Sequence, residues 1–297
     1  MHLGIDIGGT KTDAVVVDAA GAVHGRRRLP SGRGAEGVVA VAVEAGRAAC
    51  ADAGVAPADV TVGIGTPGAV NDGVVSHALN LGIGRVDLAG AFESGWGARP
   101  VVDNDVNAAA VGAWAAHGDG ERSMAYLNLG TGLAAGIVLG GRLWRGARGA
   151  AGEIGHVSVD PAGPVGADGL PGGLETYASG SGLALQWGVD GAAVPDIVAA
   201  AEAGDPRAKE ICDGAAFGLA SSVRVLVLTL DVELVIVGGG MAAWGAPLFD
   251  GARAILDAWA ATSPFLASLE LGARMTAMDL EVPVAAIGAA MLGGGRG

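Results

Sequence analysis

The chain carries one short pattern twice. Ile5-Asp6-Ile7-Gly8-Gly9-Thr10 and Leu127-Asn128-Leu129-Gly130-Thr131-Gly132 each lead an apolar run into a turn of Gly and Thr, and a second apolar run follows each, at 12–18 and 133–139. Short apolar, β-branched runs punctuated by Gly read as strands. One strand–turn–strand per half predicts two lobes whose glycine turns face each other across a cleft. The length agrees, because 297 residues is near the size at which one core splits into two domains. The polar, Gly-rich stretch at 116–121 sets the expected boundary: an N-terminal α/β lobe over 1–117 and a larger C-terminal α/β lobe over 118–297. The closing apolar helix, near 284–292, is a candidate to return to the first lobe.

Between these landmarks the sequence predicts strands at 2–7, 12–18, 22–28, 60–64 and 70–76, the last opened by the turn Asn71-Asp72-Gly73, and a helix at 35–53. Strands, a helix and more strands imply a mixed sheet with helices on its faces. The second half repeats this with strands at 124–129, 133–139, 142–144 and 233–237. Helices are expected at 108–116, 174–187, 195–202, 206–230 and 242–260.

Composition removes several functions. Only Lys11 and Lys209 are lysines and the net charge is −13, so there is no long basic run to neutralise a nucleic-acid backbone. A phosphorylated metabolite stays within reach, because backbone amides grip phosphate without side-chain charge. Two lone cysteines, Cys50 and Cys212, form no disulfide framework, which suits a reducing, cytoplasmic setting. The first apolar stretch is interrupted by Asp6 and lacks the basic lead of a signal peptide. The apolar segment 223–241 carries Arg224, Asp231 and Glu233, wrong for a bilayer core, and no membrane partner is expected.

Four segments concentrate chemistry. Gly8-Gly9-Thr10-Lys11 offers backbone amides, a hydroxyl and a cation to a phosphate, with Asp6 placed to reach a hydrated Mg²⁺. It is not a Walker loop, since Thr10 stands where that loop needs Lys and a strand follows. Gly63-Ile64-Gly65-Thr66-Pro67-Gly68 spells GxGxxG, but Pro67 and the hairpin-like stretch beyond it deny the helix a dinucleotide site needs. Asp103-Asn104-Asp105-Val106-Asn107 puts four polar residues where a strand meets a helix, more than a helix cap requires. Glu153 and His156, three apart among small residues, and Glu175 after a second Gly-rich stretch suit hydrogen bonding to a polyol.

In this order the motifs resemble the ROK family of bacterial sugar kinases: GIDIGGTKT at 4–12, GTPGAV at 65–70, DNDVNAAAVG at 103–112, LGTG at 129–132, GARGAAGEIGHVSVDPAGP at 146–164, LETYASG at 174–180, IVGGGM at 236–241 and IGAAML at 287–292. The resemblance covers nearly the whole chain. It implies an α/β, two-lobed actin/hexokinase-like (ribonuclease H-like) fold with the active-site cleft between lobes, and an ATP-dependent hexose kinase. It makes Asp105 the base that takes the proton from the attacking sugar hydroxyl, with Asn104 fixing the ring beside it. Glu153, His156 and Glu175 would bind ring hydroxyls, and Gly68 would offer backbone. Gly8, Gly9, Thr10, Lys11, Gly130, Thr131 and Gly132 would hold ATP phosphates. Asp6 would hold Mg²⁺ through water, and Gly238, Gly239 and Gly240 would pass under the nucleoside.

Two departures accompany the resemblance. Where most of the family has three Cys that bind a structural zinc with the His, this chain has Gly166, Asp168 and Gly173. Four donors make a structural zinc site and His156 with Asp168 supplies two, so no structural zinc is expected. Asp168 is instead expected to orient His156 by accepting its N–H. Ala113, followed by Trp114, stands where the family commonly has Glu.

The family's transcriptional repressors carry a helix-turn-helix arm ahead of the phosphate motif, and here that motif begins at Gly4. The expected acceptor is the 6-hydroxyl of glucose. Kanosamine or glucosamine, and N-acetylmannosamine or fructose, are the alternatives, and a non-catalytic sugar sensor is the alternative of another class. A homodimer is expected, dimers being the commonest symmetric assembly.

Overall fold

The computed structural model describes residues 1–117, 123–191 and 193–295. The chain forms two compact units, one of Met1–Glu121, Gly136–Ala151 and Glu281–Gly297, the other of Arg122–Ala135 and Gly152–Leu280. The strands in chain order are β1 (His2–Ile7), β2 (Lys11–Val17), β3 (Val23–Pro30), β4 (Thr61–Thr66), β5 (Ala69–Asn71), β6 (Val74–Ala78), β7 (Ile83–Asp87), β8 (Val101–Asn104), β9 (Met124–Leu129), β10 (Leu133–Leu139), β11 (Arg142–Leu143), β12 (Leu234–Gly238) and β13 (Met275–Ala277). The α-helices are α1 (Gly34–Ala53), α2 (Leu88–Trp96), α3 (Asp105–His117), α4 (Leu174–Ala178), α5 (Gly180–Trp187), α6 (Val194–Glu202), α7 (Pro206–Leu230), α8 (Ala246–Thr262), α9 (Pro264–Ser268) and α10 (Val284–Gly293).

In the first unit the sheet order is β3-β2-β1-β4-β8. β1 and β2, and β2 and β3, run antiparallel, while β4 is parallel to both β1 and β8. Alternation along β1 separates its two faces. Leu3 and Ile5 pack on α1 at Gly46, whereas Gly4 on the other face lies against the backbone of α10. A core of Leu3, Ile5, Ile7, Val38, Ile64, Leu81, Phe92 and Trp96 fills the α1 side. On the α10 side, Gly4, Gly63 and Gly112 let β1, β4 and α3 approach that helix backbone to backbone. The second five-stranded sheet, β11-β10-β9-β12-β13, repeats the pattern, with β12 parallel to β9 and β13. The 25-residue α7 is long and apolar enough to cross a bilayer. It packs as a mostly buried core helix against α4, α6 and α8.

Several expectations shift in detail. Asn71-Asp72-Gly73 does not open one strand; it joins β5 to β6, with Asp72 at φ 49° and Gly73 at φ 78°, the left-handed pair a tight hairpin needs. The helix expected from 108 begins at Asp105. The helix expected over 174–187 breaks at Ser179, whose hydroxyl accepts the Gly182 N–H and caps α5. That expected over 242–260 is a 3-10 turn, Gly240–Trp244, and then α8, separated by Gly245 at φ 72°. The polar break at 116–121 lies mostly outside the described residues. Ala113 is fully buried in α3, and nothing in the structure gives it or Trp114 a functional role.

Candidate active site

The first unit brings together Asp6, the turn Gly8–Lys11, Gly68, and the junction of β8 with α3. The turn is closed by the Gly8 N–H donating to the Lys11 carbonyl at 2.9 Å. Ser31 braces the turn with two bonds: its hydroxyl donates to the Gly8 carbonyl at 2.6 Å and its N–H to the Thr10 carbonyl at 3.0 Å. Gly9, Thr10 and Lys11 are exposed. Sequence reading missed Ser31, which lies twenty residues beyond Lys11 and reaches the turn because β3 returns beside β2.

Asp6 is on β1 opposite Asp13 on β2, and opposite Gly65 on β4. Burial, followed by the charges of Asp105 and Asp13, pushes its carboxyl up to about 8, against the opposing pull of Arg28. A carboxyl so placed gains from a cation beside it. Among the described residues no three His, Cys, Asp or Glu side chains converge as a metal cage, so a magnesium at Asp6 would keep most of its waters, as that ion usually does.

At the β8–α3 junction Asn104 is held on all sides. Its Oδ1 accepts the N–H groups of Val106 and Asn107 at 2.9 and 3.3 Å, so it caps α3. Its Nδ2 donates to the Gly68 carbonyl at 3.2 Å, and its own N–H donates to Asp103 Oδ1 at 2.8 Å. Asp105 is therefore the first residue of α3, with its Oδ1 accepting the Val106 N–H at 3.0 Å. Gly68 has φ 96° and an added Cβ would stand 2.5 Å from the Ser76 carbonyl, so only glycine fits there. Its carbonyl is engaged by Asn104.

The second unit holds the other predicted residues. The turn Gly130–Gly132 closes by the Gly130 N–H donating to Gly132, and the start of α5 pins it. The Gly180 N–H donates to Gly130 at 2.8 Å, and the Ser181 hydroxyl to Thr131 at 2.6 Å. A serine thus braces each glycine turn from behind. Glu175 on α4 accepts the Leu133 N–H through Oε2 at 2.9 Å, and a Cβ on Gly132 would meet that same oxygen at 2.6 Å. Glu153 and His156, both exposed, flank the 3-10 turn Ile154–His156. Gly152 before it abuts the Ala135 carbonyl so closely that no side chain fits.

His156 Nδ1 lies 3.6 Å from Asp168 Oδ2. The Leu170 N–H, donated to Asp168 at 3.0 Å, and then His156 hold the Asp168 carboxyl below the usual carboxylate range. The residues do not fit a structural zinc. Gly166 and Gly173 offer no donor, and a side chain at Gly166 would meet Thr176 Oγ1 at 2.5 Å. The loop closes through its own backbone: Ser158 bridges to Gly173, Val165 to Pro171, and Gly166 and Gly169 donate to Leu170 and Gly166. Tyr177 adds a staple by donating to Asp160 at 2.8 Å.

A cavity of about 1300 Å³ lies within this unit, walled mainly by apolar side chains, with Gly130, Thr131, Glu175, Ser181, Gly240 and Trp244 on its lining. Of the three glycines that end and follow β12, Gly240 faces the cavity. Gly238 is pressed against the Tyr126 hydroxyl, and Gly239, at φ 85°, against the Leu129 carbonyl.

Comparison with known proteins agrees with the motif order. The ROK family model matches residues 2–293. The chain is 35% identical over 289 residues to a glucokinase of Streptomyces coelicolor, covering 87% of this chain and 88% of that one. It is 32% identical over 302 residues to an N-acetylmannosamine kinase of Escherichia coli, covering 99% and 98%. A ROK family glucokinase of Streptomyces griseus, solved with glucose and AMPPNP, superposes with a TM-score of 0.78 at 32% identity, covering 98% of each chain. The chain belongs to the ROK family, has its actin-like fold, and is a sugar kinase.

Proposed function

We propose that this kinase transfers the γ-phosphoryl group of MgATP to the 6-hydroxyl of glucose, with Asp105 as the general base. The observation that carries this is the clamp on Asn104. Four hydrogen bonds fix the residue before Asp105, so the carboxylate is held at a helix start instead of on a mobile loop. Phosphoryl transfer is mostly positioning and charge stabilisation, and a carboxylate on the attacking hydroxyl is a recurrent part of it. Asn104 orients the sugar ring. Glu153, His156 and Glu175 bind its hydroxyls, with Asp168 setting the His156 ring. Gly8, Gly9, Thr10 and Lys11, and Gly130, Thr131 and Gly132, hold ATP phosphates, while Gly240 and the cavity beside it receive the nucleoside. Asp6 would hold the magnesium through water, and that ion would supply positive charge against the charge developing on the transferred group.

A second acceptor class has an observation in its favour. The loop that carries a zinc in most of the family here carries the ionised Asp168 beside His156. With Glu153 and Glu175 this adds negative charge to the sugar side, which suits the ammonium of an amino hexose.

The test is ADP release with MgATP across glucose, N-acetylmannosamine, N-acetylglucosamine, fructose, glucosamine and kanosamine, with zinc measured on the same sample. Fastest turnover on glucose supports the first reading and on an amino hexose the second. Sugar binding without turnover would replace both with a sensor. In the same assay Asp168→Ala should raise the sugar KM several-fold and leave the ATP KM unchanged; an unchanged sugar KM refutes its role.

A further inference from the structure

The junction holds more charge than the proposed chemistry uses. Asp103, on β8 immediately before Asn104, is nearly buried and both its carboxylate oxygens are engaged. Oδ1 accepts the Asn104 N–H at 2.8 Å and the Asn107 Nδ2 at 2.9 Å, so this single atom bridges the end of the strand to the first turn of α3 across Asp105. Oδ2 accepts two bonds from Arg145, from Nε at 2.9 Å and from Nη2 at 2.7 Å. Arg145 is in the segment just after β11, in the same unit as Asp103.

A buried carboxylate with no counter-charge would be costly, and a helix cap does not need one, because Asn104 already caps α3. We infer that Arg145 and Asp103 are positioning residues for phosphoryl transfer: the ion pair locks the β8–α3 junction so that the Asp105 carboxylate stays aimed at the acceptor hydroxyl. Arg145, its own side chain 42% exposed, covers Asp103 from the solvent side; without it Oδ2 loses both its bonds and opens to water, and the carboxylate turns outward. Asn104 and Asn107 then lose the atom that joins them. The strand end and the helix start become free to shift against each other, and Asp105 lies between them. Misplacement by about 1 Å is enough to cost on the order of 100-fold in rate.

This inference rests on the reading of Asp105 as the base, and the experiment separates the two. Steady-state kinetics with MgATP and the fastest panel sugar are compared for wild type, Arg145→Ala, Arg145→Lys, Asp103→Asn, the Arg145→Ala/Asp103→Asn pair, Asp105→Asn, and Arg142→Ala as an exposed control on the same segment. Thermal midpoints are measured on each so that assays run well below unfolding. Arg145→Ala should lower kcat by roughly 10–100-fold with the ATP KM within about twofold, Arg145→Lys should recover a large part of the loss, and Arg142→Ala should match wild type. The double variant should be no slower than its slower parent, because both changes break one lock. A wild-type kcat in Arg145→Ala alongside an inactive Asp105→Asn overturns the positioning role and leaves the base standing. Losses that multiply in the double variant, or that Lys does not relieve, also overturn it. An active Asp105→Asn overturns the base assignment and the inference with it.

Discussion

Replacing Gly288 by alanine tests the packing of α10 against α3, the helix that begins at Asp105. Gly288 is in the middle of α10, and a Cβ there would overlap the Ala108 carbonyl outright and stand 2.6 Å from the Gly112 backbone N. Both obstacles are backbone atoms of α3, so no side chain can swing aside, and the helices must part by roughly 1.5–2 Å to restore ordinary contact. Overpacking of this kind costs about 1–3 kcal/mol. Alanine returns up to about 1 kcal/mol of helix propensity, but rigid neighbours put the clash at the upper end, leaving a net loss near 2 kcal/mol. At about 2–4 °C per kcal/mol for a chain of this order of length, the midpoint should fall by roughly 4–8 °C. Because α3 begins at Asp105, kcat should fall as well. Gly84→Ala on β7 is the matched control, with an ordinary φ and nothing within 4 Å of the added methyl, and it should be neutral. Thermal unfolding and kinase assays on the three proteins decide the matter. A Gly288→Ala midpoint at or above wild type would refute the close-packing account of α10.

The remaining predictions concern protons and the loop. Asp105→Asn should lower kcat by about 100-fold or more while ATP still binds, as measured by nucleotide titration. The folded-state carboxyl of Asp6, at about 8, lies above its unfolded value of 3.8; its protonated form therefore stabilises the fold fully below pH 4, and that contribution is lost as pH rises through 8. Asp6→Asn without magnesium should accordingly gain more stability over wild type at pH 9 than at pH 5 in urea unfolding, and equal differences would refute this. The Tyr177 phenol, pushed up to about 12 first by burial and then by Asp160, should stay protonated at pH 11 in an ultraviolet titration. Tyr177→Phe should cost about 1 kcal/mol for the lost bond, read from the urea midpoint.

What the sequence revealed was local pattern. The strands flanking each glycine turn, the long helix 206–230 and the junction at 103–107 were legible because apolar runs, Gly punctuation and clustered Asx residues are statements about neighbours in the chain. The start of α3 was misjudged because Asn104 and Asp105 read as loop, when Asn104 is the cap that makes Asp105 helical. The break at Ser179 was written in Ser179-Gly180-Ser181-Gly182, but an apolar run on either side hid it. Helix α2 went unread although Asp87 caps it and Gly97, at φ 102°, ends it. Ser31 behind the first turn and Arg145 on Asp103 were out of reach, since each acts on a partner that only strand return or tertiary packing brings near.

The altered loop shows how a site can keep its form while changing its chemistry. A zinc holds a loop with four ligand bonds and imposes a fixed charge. Here backbone pairing at Ser158–Gly173 and Val165–Pro171, with the Tyr177–Asp160 bond, closes the same stretch with no donor set for a metal. The two backbone bridges are uncharged, so they do not dictate the polarity of the loop. Asp168 does, at 3.6 Å from the imidazole and held ionised by the Leu170 amide. On the proposed reading, where a zinc would withdraw electron density from His156, the Asp168 carboxylate would supply it, and the sugar side would be more negative. Fold and phosphate turns do not separate acceptor classes on that reading, whereas this exchange of a cation for an anion would. It is therefore the feature that any selectivity for a positively charged sugar has to act through, and Asp168→Asn is the variant in which such selectivity should shrink first.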